Sequence, residues 1–567
     1  MPDTALMSLA EGSTMKVIIV GGVAGGMSAA TRLRRLDETA DITIYEAGPD
    51  VSFANCGLPY FIGGVIGKRE SLLLQTPESL AARFNLDVRV NSRVTSIDRA
   101  ARTVTVHNSE TNETYTDSYD SLILSPGAAP RTLTIPGWDR SLTLRNVPDA
   151  DRIIAAVAGA PKYVVILGAG FIGIELAENL RHRGHSVTIV QSGPTIIAPL
   201  DPEMIEPFHR HLEANGVTIV VNATVDEITE YAVRLADGTS FTADVVISSV
   251  GVTPDHELAV EAGLRVGTTG GIWVDDQQRT SDPNIYAVGD AAEKESAMTG
   301  DDQMVWLANL ANRHGRLVAD VVGGLDVRAR PSVTTGIIGA FGMAAAITGL
   351  SEKAARHAKI AHRTMHLHPS SHAGYYPGAE SMSLKVVFAP DTGKILGAQA
   401  VGKDGVDKRI DVIATAIYGG LSVSDLMNLE LAYAPQFGSA KDAINHAGYV
   451  GDNIMDGRTP TVQWHELEER RSAGAVLIDV RTAEEHRAGN IPGAILIPVD
   501  ELRDRLDEIS ATAVIVHCKV GQRGHTATQI LRAHGIAASN LDGGYLTWRA
   551  GMDSIERTTY TTPFTNN

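Results

Sequence analysis

The chain is 567 residues long, 44% hydrophobic and 20% charged, with a formal net charge of −18. That length exceeds what one hydrophobic core organises and implies several domains, and the acidic balance argues against nucleic acid or anionic membrane as partners. The two cysteines, Cys56 and Cys518, exclude a disulfide framework and fit a reducing cytoplasm, and neither an apolar run of transmembrane length nor a signal peptide is evident.

Residues 1–14 are polar and aperiodic and read as a disordered extension. KVIIV at 16–20 reads as a buried parallel strand, followed by GGVAGG at 21–26, a helical pattern to Leu36 and a second strand ending at Glu46. This is a βαβ unit. It recurs as a strand over 163–167, GAGFIG at 168–173, a helix to about His182 and a strand over 186–190. In such a turn the glycines let backbone N–H groups approach a pyrophosphate, and the helix N-terminus favours its charge. Each turn here follows a strand and opens a helix, the context the motif requires. The first turn comprises Gly21, Gly22, Val23, Ala24, Gly25 and Gly26, with Val23 where a middle glycine is usual. Glu46, with Ala47 after it, is spaced to accept hydrogen bonds from a ribose diol. The second has Gly168, Gly170 and Gly173 with Phe171 and Ile172 between, and its second strand ends at Gln191. Gln191 is neither an acid for a 2′-hydroxyl nor an arginine for a 2′-phosphate, so NADH and NADPH both stay open.

Two dinucleotide sites imply a relay from a nicotinamide to a flavin. Gly289 and Asp290 in YAVGD end a short apolar strand, and Asp290 is placed to bond the ribityl or phosphate part of a flavin cofactor. Cys56 lies in FANCGLPY, thirty residues past the first turn. Dithiol flavoenzymes of this architecture carry two cysteines five positions apart, and position 51 is Val. Cys56 must then work through a mixed disulfide, a persulfide or a sulfenic acid. Its place at a helix start beside a flavin is expected to favour thiolate. From about 336 to 450 strands (383–387, 395–401) and helices (409–418, 423–429) suggest an α+β domain. His362, His366, His368 and His372 there read as a surface strand and loop rather than a metal site, since no cysteine or acid is interleaved. GDNIMDGRTPTVQ at 451–463 is the linker candidate. Beyond it VLIDV, AILIP and VIVHC are strands of another α/β pattern to about 553. Cys518 there opens the loop CKVGQR at a helix start near Gly524, a cradle of N–H groups to which Arg523 adds charge.

The set VGGVAGG, SFANCGLPY, LILSPGAAP, GAGFIG, IYAVGD, HAGYYPGA, VGKDGVDKRIDV and AYAPQFGSAKD resembles the coenzyme A disulfide reductase family of pyridine nucleotide-disulfide oxidoreductases over residues 15 to about 450. LIDVRTAEEHRAGNIPGAILIP, the Cys518 loop and NLDGGYLTWRAG resemble a rhodanese domain over about 463–553, with Asp479 and Arg481 structural. The resemblance implies an α/β architecture of two Rossmann-like domains, an FAD-binding domain at 15–150 and 271–335 and an NAD(P)-binding domain at 151–270. A dimerisation domain at 336–450, the linker, a rhodanese domain at 464–553 and a tail at 554–567 complete it. It implies FAD, NADH or NADPH, coenzyme A and a homodimer. It makes Cys56 the nucleophile, with Ser52 and Asn55 beside the coenzyme A thiol and Arg32 and Arg35 at its phosphates. Arg32, Arg34 and Arg35 form a local basic patch in an acidic chain. The resemblance also places Tyr375 and Tyr433 of the partner subunit near the cysteine, with Tyr376 a rival for Tyr375, and Lys441 at the nucleotide end of coenzyme A. Phe437 departs from a tyrosine common in the family. The fusion points to reduction of coenzyme A disulfide, coenzyme A persulfide or polysulfide, with Cys518 handling sulfane sulfur. An NADH oxidase or peroxidase using a Cys56 sulfenic acid, a redox-sensing sulfur carrier, and a regulatory rhodanese-like domain are the alternatives.

Overall fold

The computed structural model describes residues 14–559. All of the expected extension but Thr14, and residues 560–567 of the expected tail, lie outside them. The chain forms two compact units. One comprises residues up to Thr134, Leu142–Ala160 and Ser248–Ser332; the other comprises Ile135–Ser141, Pro161–Ile247 and Val333 onward. The first unit therefore takes in 151–160 and 248–270, which fall within the expected nicotinamide domain. Local pairing explains it. Helix Val147–Ala156 packs on helix Leu58–Gly63, and strand Val252–Pro254 pairs antiparallel with Ala128–Pro130.

The centre of the first unit is a parallel sheet in the order Ile285–Ala287, Ser121–Leu124, Lys16–Val20, Asp41–Tyr45, Asp87–Arg89. Both faces of such a sheet are covered, so its strands are apolar runs rather than alternating ones. Val17 and Ile19 face one core with Leu33 and Val318, and Ile18 faces another with Leu122 and Ile285. Helices Ala24–Leu36 and Ala308–Val322 pack closely, because Gly315 brings its backbone onto the carbonyl of Gly25, where a methyl would clash.

The second unit holds three layers of different origin. Strands Val217–Val220, Ser186–Val190, Tyr163–Leu167 and Val245–Ser248 are neighbours in that order. An antiparallel sheet runs Gly336–Ala340, Met343–Gly349, Ile395–Gly402, Met382–Phe388, Arg363–Leu367. A third, parallel sheet runs Thr461–Val462, Ala537–Leu541, Ala513–His517, Val476–Asp479, Ile495–Leu496. Residues 423–429, read as a helix, make only a single 3-10 turn, Asp425–Asn428. Tertiary contact supplies the reason: the Asn445 carboxamide donates to the carbonyls of Leu426 and Leu429 at 3.1 and 2.9 Å, taking acceptors a helix would use. Helix Ala443–Met455 runs five residues into the 451–463 stretch, and the last helix, Gly544–Thr559, passes the expected end at 553.

That last helix lies along helix Pro202–Ala214. Arg557 reaches Glu206 (3.0 Å) and Glu213 (2.8 Å), and Arg210 pairs with Asp553. Below them Lys385, fully buried, bonds to Asp201 (2.9 Å), Glu352 (2.6 Å) and Glu203. These three carboxylates have the spacing of a cation site, and the Lys385 ammonium already fills that role. The histidine segment departs from its expectation as a surface strand. His366 is 4% and His372 5% exposed, and His366 lies between two buried carboxylates, Asp542 at 2.7 Å and Glu203 at 3.2 Å. The acids that partner it come from distant sequence, so no interleaving exists to be read.

Candidate active sites

The first glycine turn is defined by close backbone approach. Gly21 has φ of +98°, and a methyl there would collide with the carbonyl of Ser125; one on Gly26 would collide with the carbonyl of Gly21. Val23 is the residue that caps helix Ala24–Leu36, with φ of −110°. The crowded positions are the glycines on either side, which is why a valine is accommodated where a middle glycine is usual. Glu46 accepts from the Gly22 N–H at 2.8 Å and the Gly48 N–H at 2.9 Å. A carboxylate has further lone pairs, so it can still accept from a diol. Ala47 beside it is exposed.

Asp290 sits in the 3-10 turn Gly289–Ala291 after the edge strand Ile285–Ala287. Burial raises its pKa, against the pull of Lys294 and Arg145. The Lys294 ammonium is buried, donating to the carbonyls of Ala292 (2.6 Å) and Gly289, and burial pulls it down to about 8. Burial also takes His314 down to about 4, with its Nδ1 unbonded. A desolvated carboxylate at a loop end suits a hydroxyl donor, and the glycine cradle suits a pyrophosphate. The donor set thus fits a flavin dinucleotide. Lys294 and His314 were missed in the sequence, because nothing there distinguishes them from surface residues.

Cys56 is exposed, in the 3-10 turn Asn55–Gly57 that runs into helix Leu58–Gly63. Its Sγ lies 3.5 Å from Asn55 Oδ1. Six residues align few peptide dipoles, so the polar neighbours matter more than the expected helix start. Ser52, at φ +47°, donates its N–H to the Gly22 carbonyl at 2.8 Å, and Val51 packs on Gly22. The basic patch is only partly available. Arg34 is buried and donates to the carbonyls of Phe84, Asn85, Asp37 and Glu38, and Arg32 pairs with Asp320 at 2.6 Å. Arg35 is exposed, its guanidinium 5.2 Å from the centre of the Phe84 ring.

In the second unit, Gly168 turns at φ +101°, and Gly170 caps helix Phe171–His182 with open space where its Cβ would be. Gly173 is buried, Phe171 half-buried and Ile172 exposed. Gln191 accepts from the Ala169 N–H at 3.0 Å, bracing the turn. Tyr375 and Tyr433 are exposed, with their hydroxyls 3.0 Å apart. The hydrogen bond to Tyr433 raises the Tyr375 pKa. Tyr376 instead lies edge-on to His372 at 5.7 Å. Phe437 and Lys441 are exposed in the same domain.

Cys518 is fully buried at the end of strand Ala513–His517. Its Sγ accepts from the Gly521 N–H at 3.1 Å, and Gly521, at φ +96°, caps helix Gln522–Ala533. Arg523 is in hydrogen-bonding reach of the thiol and is clamped by both oxygens of Glu485 at 2.7 Å. Glu485 was missed; its place in the first turn of helix Ala483–Ala488 reads as helix capping alone. Asp479 and Arg481 form a buried pair below the loop, 2.6 Å apart.

Known proteins share this arrangement. A family model described as pyridine nucleotide-disulphide oxidoreductase matches residues 15–315, its dimerisation domain matches 339–444, and a rhodanese-like domain matches 463–551. Coenzyme A disulfide reductase of Staphylococcus haemolyticus is 34% identical over 441 residues, 77% of this chain and 100% of that one. Reduced CoADR-RHD of Bacillus anthracis is 46% identical, with a TM-score of 0.94 over 96% of this chain and 99% of that one. An NAD-dependent persulfide reductase from A. fulgidus is 34% identical, with a TM-score of 0.88 over 94% and 100%. Among the described residues no helix is long and apolar enough to cross a membrane. Two dinucleotide turns, one cysteine tied to the first of them, and a second cysteine in a cradle at the far end are thus explained together: the chain belongs to the pyridine nucleotide-disulphide oxidoreductase family and carries a rhodanese-like domain at its C-terminal end.

Proposed function

We propose that the chain is an FAD-containing, NAD(P)H-dependent reductase of sulfur–sulfur bonds in coenzyme A disulfide, coenzyme A persulfide or polysulfide. Cys56 is its nucleophile and Cys518 its carrier of sulfane sulfur. The observation that carries the reading is the bond between Ser52 and Gly22, which fixes an exposed cysteine, with no neighbouring thiol in the sequence, on the same segment as the first glycine turn.

The Gly21–Gly26 turn would hold the FAD pyrophosphate, Glu46 the ribose and Asp290 the ribityl or phosphate chain. Bound there, FAD supplies a two-electron path between nicotinamide and sulfur. Gly168–Gly173 and Gln191 would hold NADH or NADPH. The Cys56 thiolate attacks one sulfur of the substrate S–S bond. That bond breaks as a Cys56–S bond forms, and the other fragment leaves as a thiolate or hydrosulfide and takes up a proton. Two electrons and a proton, drawn from NAD(P)H, then return Cys56 to a thiolate and release the second thiol.

Ser52 and Asn55 would flank the coenzyme A thiol. Arg35 and, if it leaves Asp320, Arg32 would meet the phosphates, and Lys441 the nucleotide end. The match to a dimerisation domain supports a homodimer, in which the partner subunit's Tyr375 and Tyr433 protonate the leaving thiolate. Their hydroxyl pair favours Tyr375 over Tyr376 for this work. The reducing cytoplasm keeps both cysteines as thiols and supplies the nicotinamide. The test is NAD(P)H consumption by wild type, Cys56→Ser and Cys518→Ser with each of the three substrates, alongside oxygen uptake. Full activity in Cys56→Ser on all three would overturn the scheme, and oxygen uptake faster than sulfur turnover would favour an oxidase.

A further inference from the structure

The ion pairs beneath the rhodanese-like domain take no part in the steps above, yet they lead to its thiol. His366 lies on Arg363–Leu367, an edge strand of the antiparallel sheet. An open edge presents unpaired backbone groups. Here the C-terminal domain covers them: the His366 N–H donates to Asp542 Oδ1 at 3.2 Å, and the Thr364 carbonyl accepts from Gln463 Nε2 at 3.3 Å. The ring is held as well, with Nδ1 2.7 Å from Asp542 Oδ2 and Nε2 3.2 Å from Glu203 Oε1. Glu203 is anchored in turn by Lys385.

Asp542 leads directly into Gly543 and Gly544, at φ +66° and +62°. A methyl on Gly543 would strike His366 Cβ and Thr547; one on Gly544 would strike the carbonyl of Cys518 and the backbone of Lys519 and Gly521. Tyr545 then donates its N–H to the Cys518 carbonyl at 2.8 Å, and Leu546 its N–H to the Lys519 carbonyl at 3.1 Å. His368 adds a second anchor, its Nε2 2.8 Å from the Thr547 hydroxyl. Only two residues, Gly543 and Gly544, therefore separate a carboxylate held by the dimerisation domain from the hydrogen bonds that shape the thiol loop.

We propose that His366 is a positioning residue for Cys518: through Asp542 it presses the 542–546 turn onto the Cys518 loop, so that the sulfur-transfer cradle is completed by a domain other than its own. The inference rests on the reading of Cys518 as the sulfane-sulfur carrier. A cradle that stabilises an outgoing anion tolerates little displacement of its N–H donors.

The test uses the full-length holoenzyme and the variants His366→Ala, Asp542→Ala and His366→Asn. Asparagine keeps an N–H aimed at Asp542. Three rates are measured: thiosulfate-to-cyanide sulfur transfer, alkylation of Cys518 by iodoacetamide read from the mass of its peptide, and reduction of coenzyme A disulfide. In both alanine variants transfer kcat falls by about 10- to 100-fold with KM held, and alkylation of the otherwise buried thiol speeds by at least about 10-fold. His366→Asn restores most of both, and the reductase rate is unchanged throughout. Unaltered alkylation in His366→Ala, or no recovery in His366→Asn, overturns the proposal. If wild type transfers no sulfur while His366→Ala still exposes Cys518, the carrier reading fails and the positioning contact stands. If wild type transfers sulfur and His366→Ala does so equally, the reverse holds.

Discussion

Ser52 donates its backbone N–H to the carbonyl of Gly22 at 2.8 Å. Ser52 adopts φ of +47°, a left-handed conformation that costs a serine energy unless tertiary contacts hold it. The strained turn aims the following segment so that Cys56, four residues on, emerges at the surface. The bond ties the segment of the proposed nucleophile to the glycine turn proposed to hold the pyrophosphate.

Removing the Cys56 sulfur tests that arrangement directly. Cys56→Ser is expected to lower kcat for coenzyme A disulfide by at least about 1000-fold, the scale at which loss of a nucleophile is felt. The protein should still bind FAD, because the proposed cradle of Gly21–Gly26, Glu46 and Asp290 does not include Cys56. Flavin absorbance and stopped-flow NAD(P)H oxidation on the same sample separate the two effects.

The two adjacent tyrosines are expected to diverge. Tyr375 shares a hydrogen bond with Tyr433, whereas Tyr376 lies edge-on to His372. Tyr375→Phe should slow turnover by about 100-fold, the lower range for loss of a general acid. Tyr376→Phe should leave kcat close to wild type. Steady-state kinetics decide it, and equal losses would assign the role to neither.

Lys385→Met would leave three buried carboxylates with no ammonium among them. Breaking a buried pair by removing one partner costs about 3–5 kcal/mol. Chemical denaturation should show a loss of that order. An unchanged midpoint would mean that water or another cation replaces the ammonium.

The His366 contact carries a pH signature. Burial opposes the charged ring, but Asp542 and Glu203 overcome it and lift its pKa to about 9, against a repulsive contribution from Lys385. His368, two residues along, is held down to about 4 by burial and by His366 and stays neutral. A folded value above the unfolded 6.5 means that the folded state holds the proton more tightly. The stabilisation is complete below about pH 6.5, declines as pH rises, and is gone above about pH 9. The difference in Tm between wild type and His366→Asn should therefore shrink across that window. A difference that stays constant or grows with pH would rule out a charged imidazole.

Much of this protein is local in origin and so was legible. A strand, a glycine turn and a helix follow one another within about 20 residues, twice, and the same is true of the strand, loop and helix around Cys518. Their spacing and residue types announce dinucleotide cradles and a thiol cradle before any folding. The relationships that set the chemistry are of longer range. Arg34 and Arg35 are adjacent in sequence, yet carbonyls from residues 84 and 85 consume one and leave the other exposed. Tyr375 and Tyr433 meet across 58 positions, and His366 and Asp542 across 176. A backbone turn is dictated by what its own residues can adopt, whereas a buried ion pair or a hydroxyl pair is chosen by whatever the packed domains bring within 3 Å. Motif and composition therefore determined the cradles and their cysteines, and the tertiary structure alone decided which charges are spent, which tyrosine is paired, and what holds the second thiol in place.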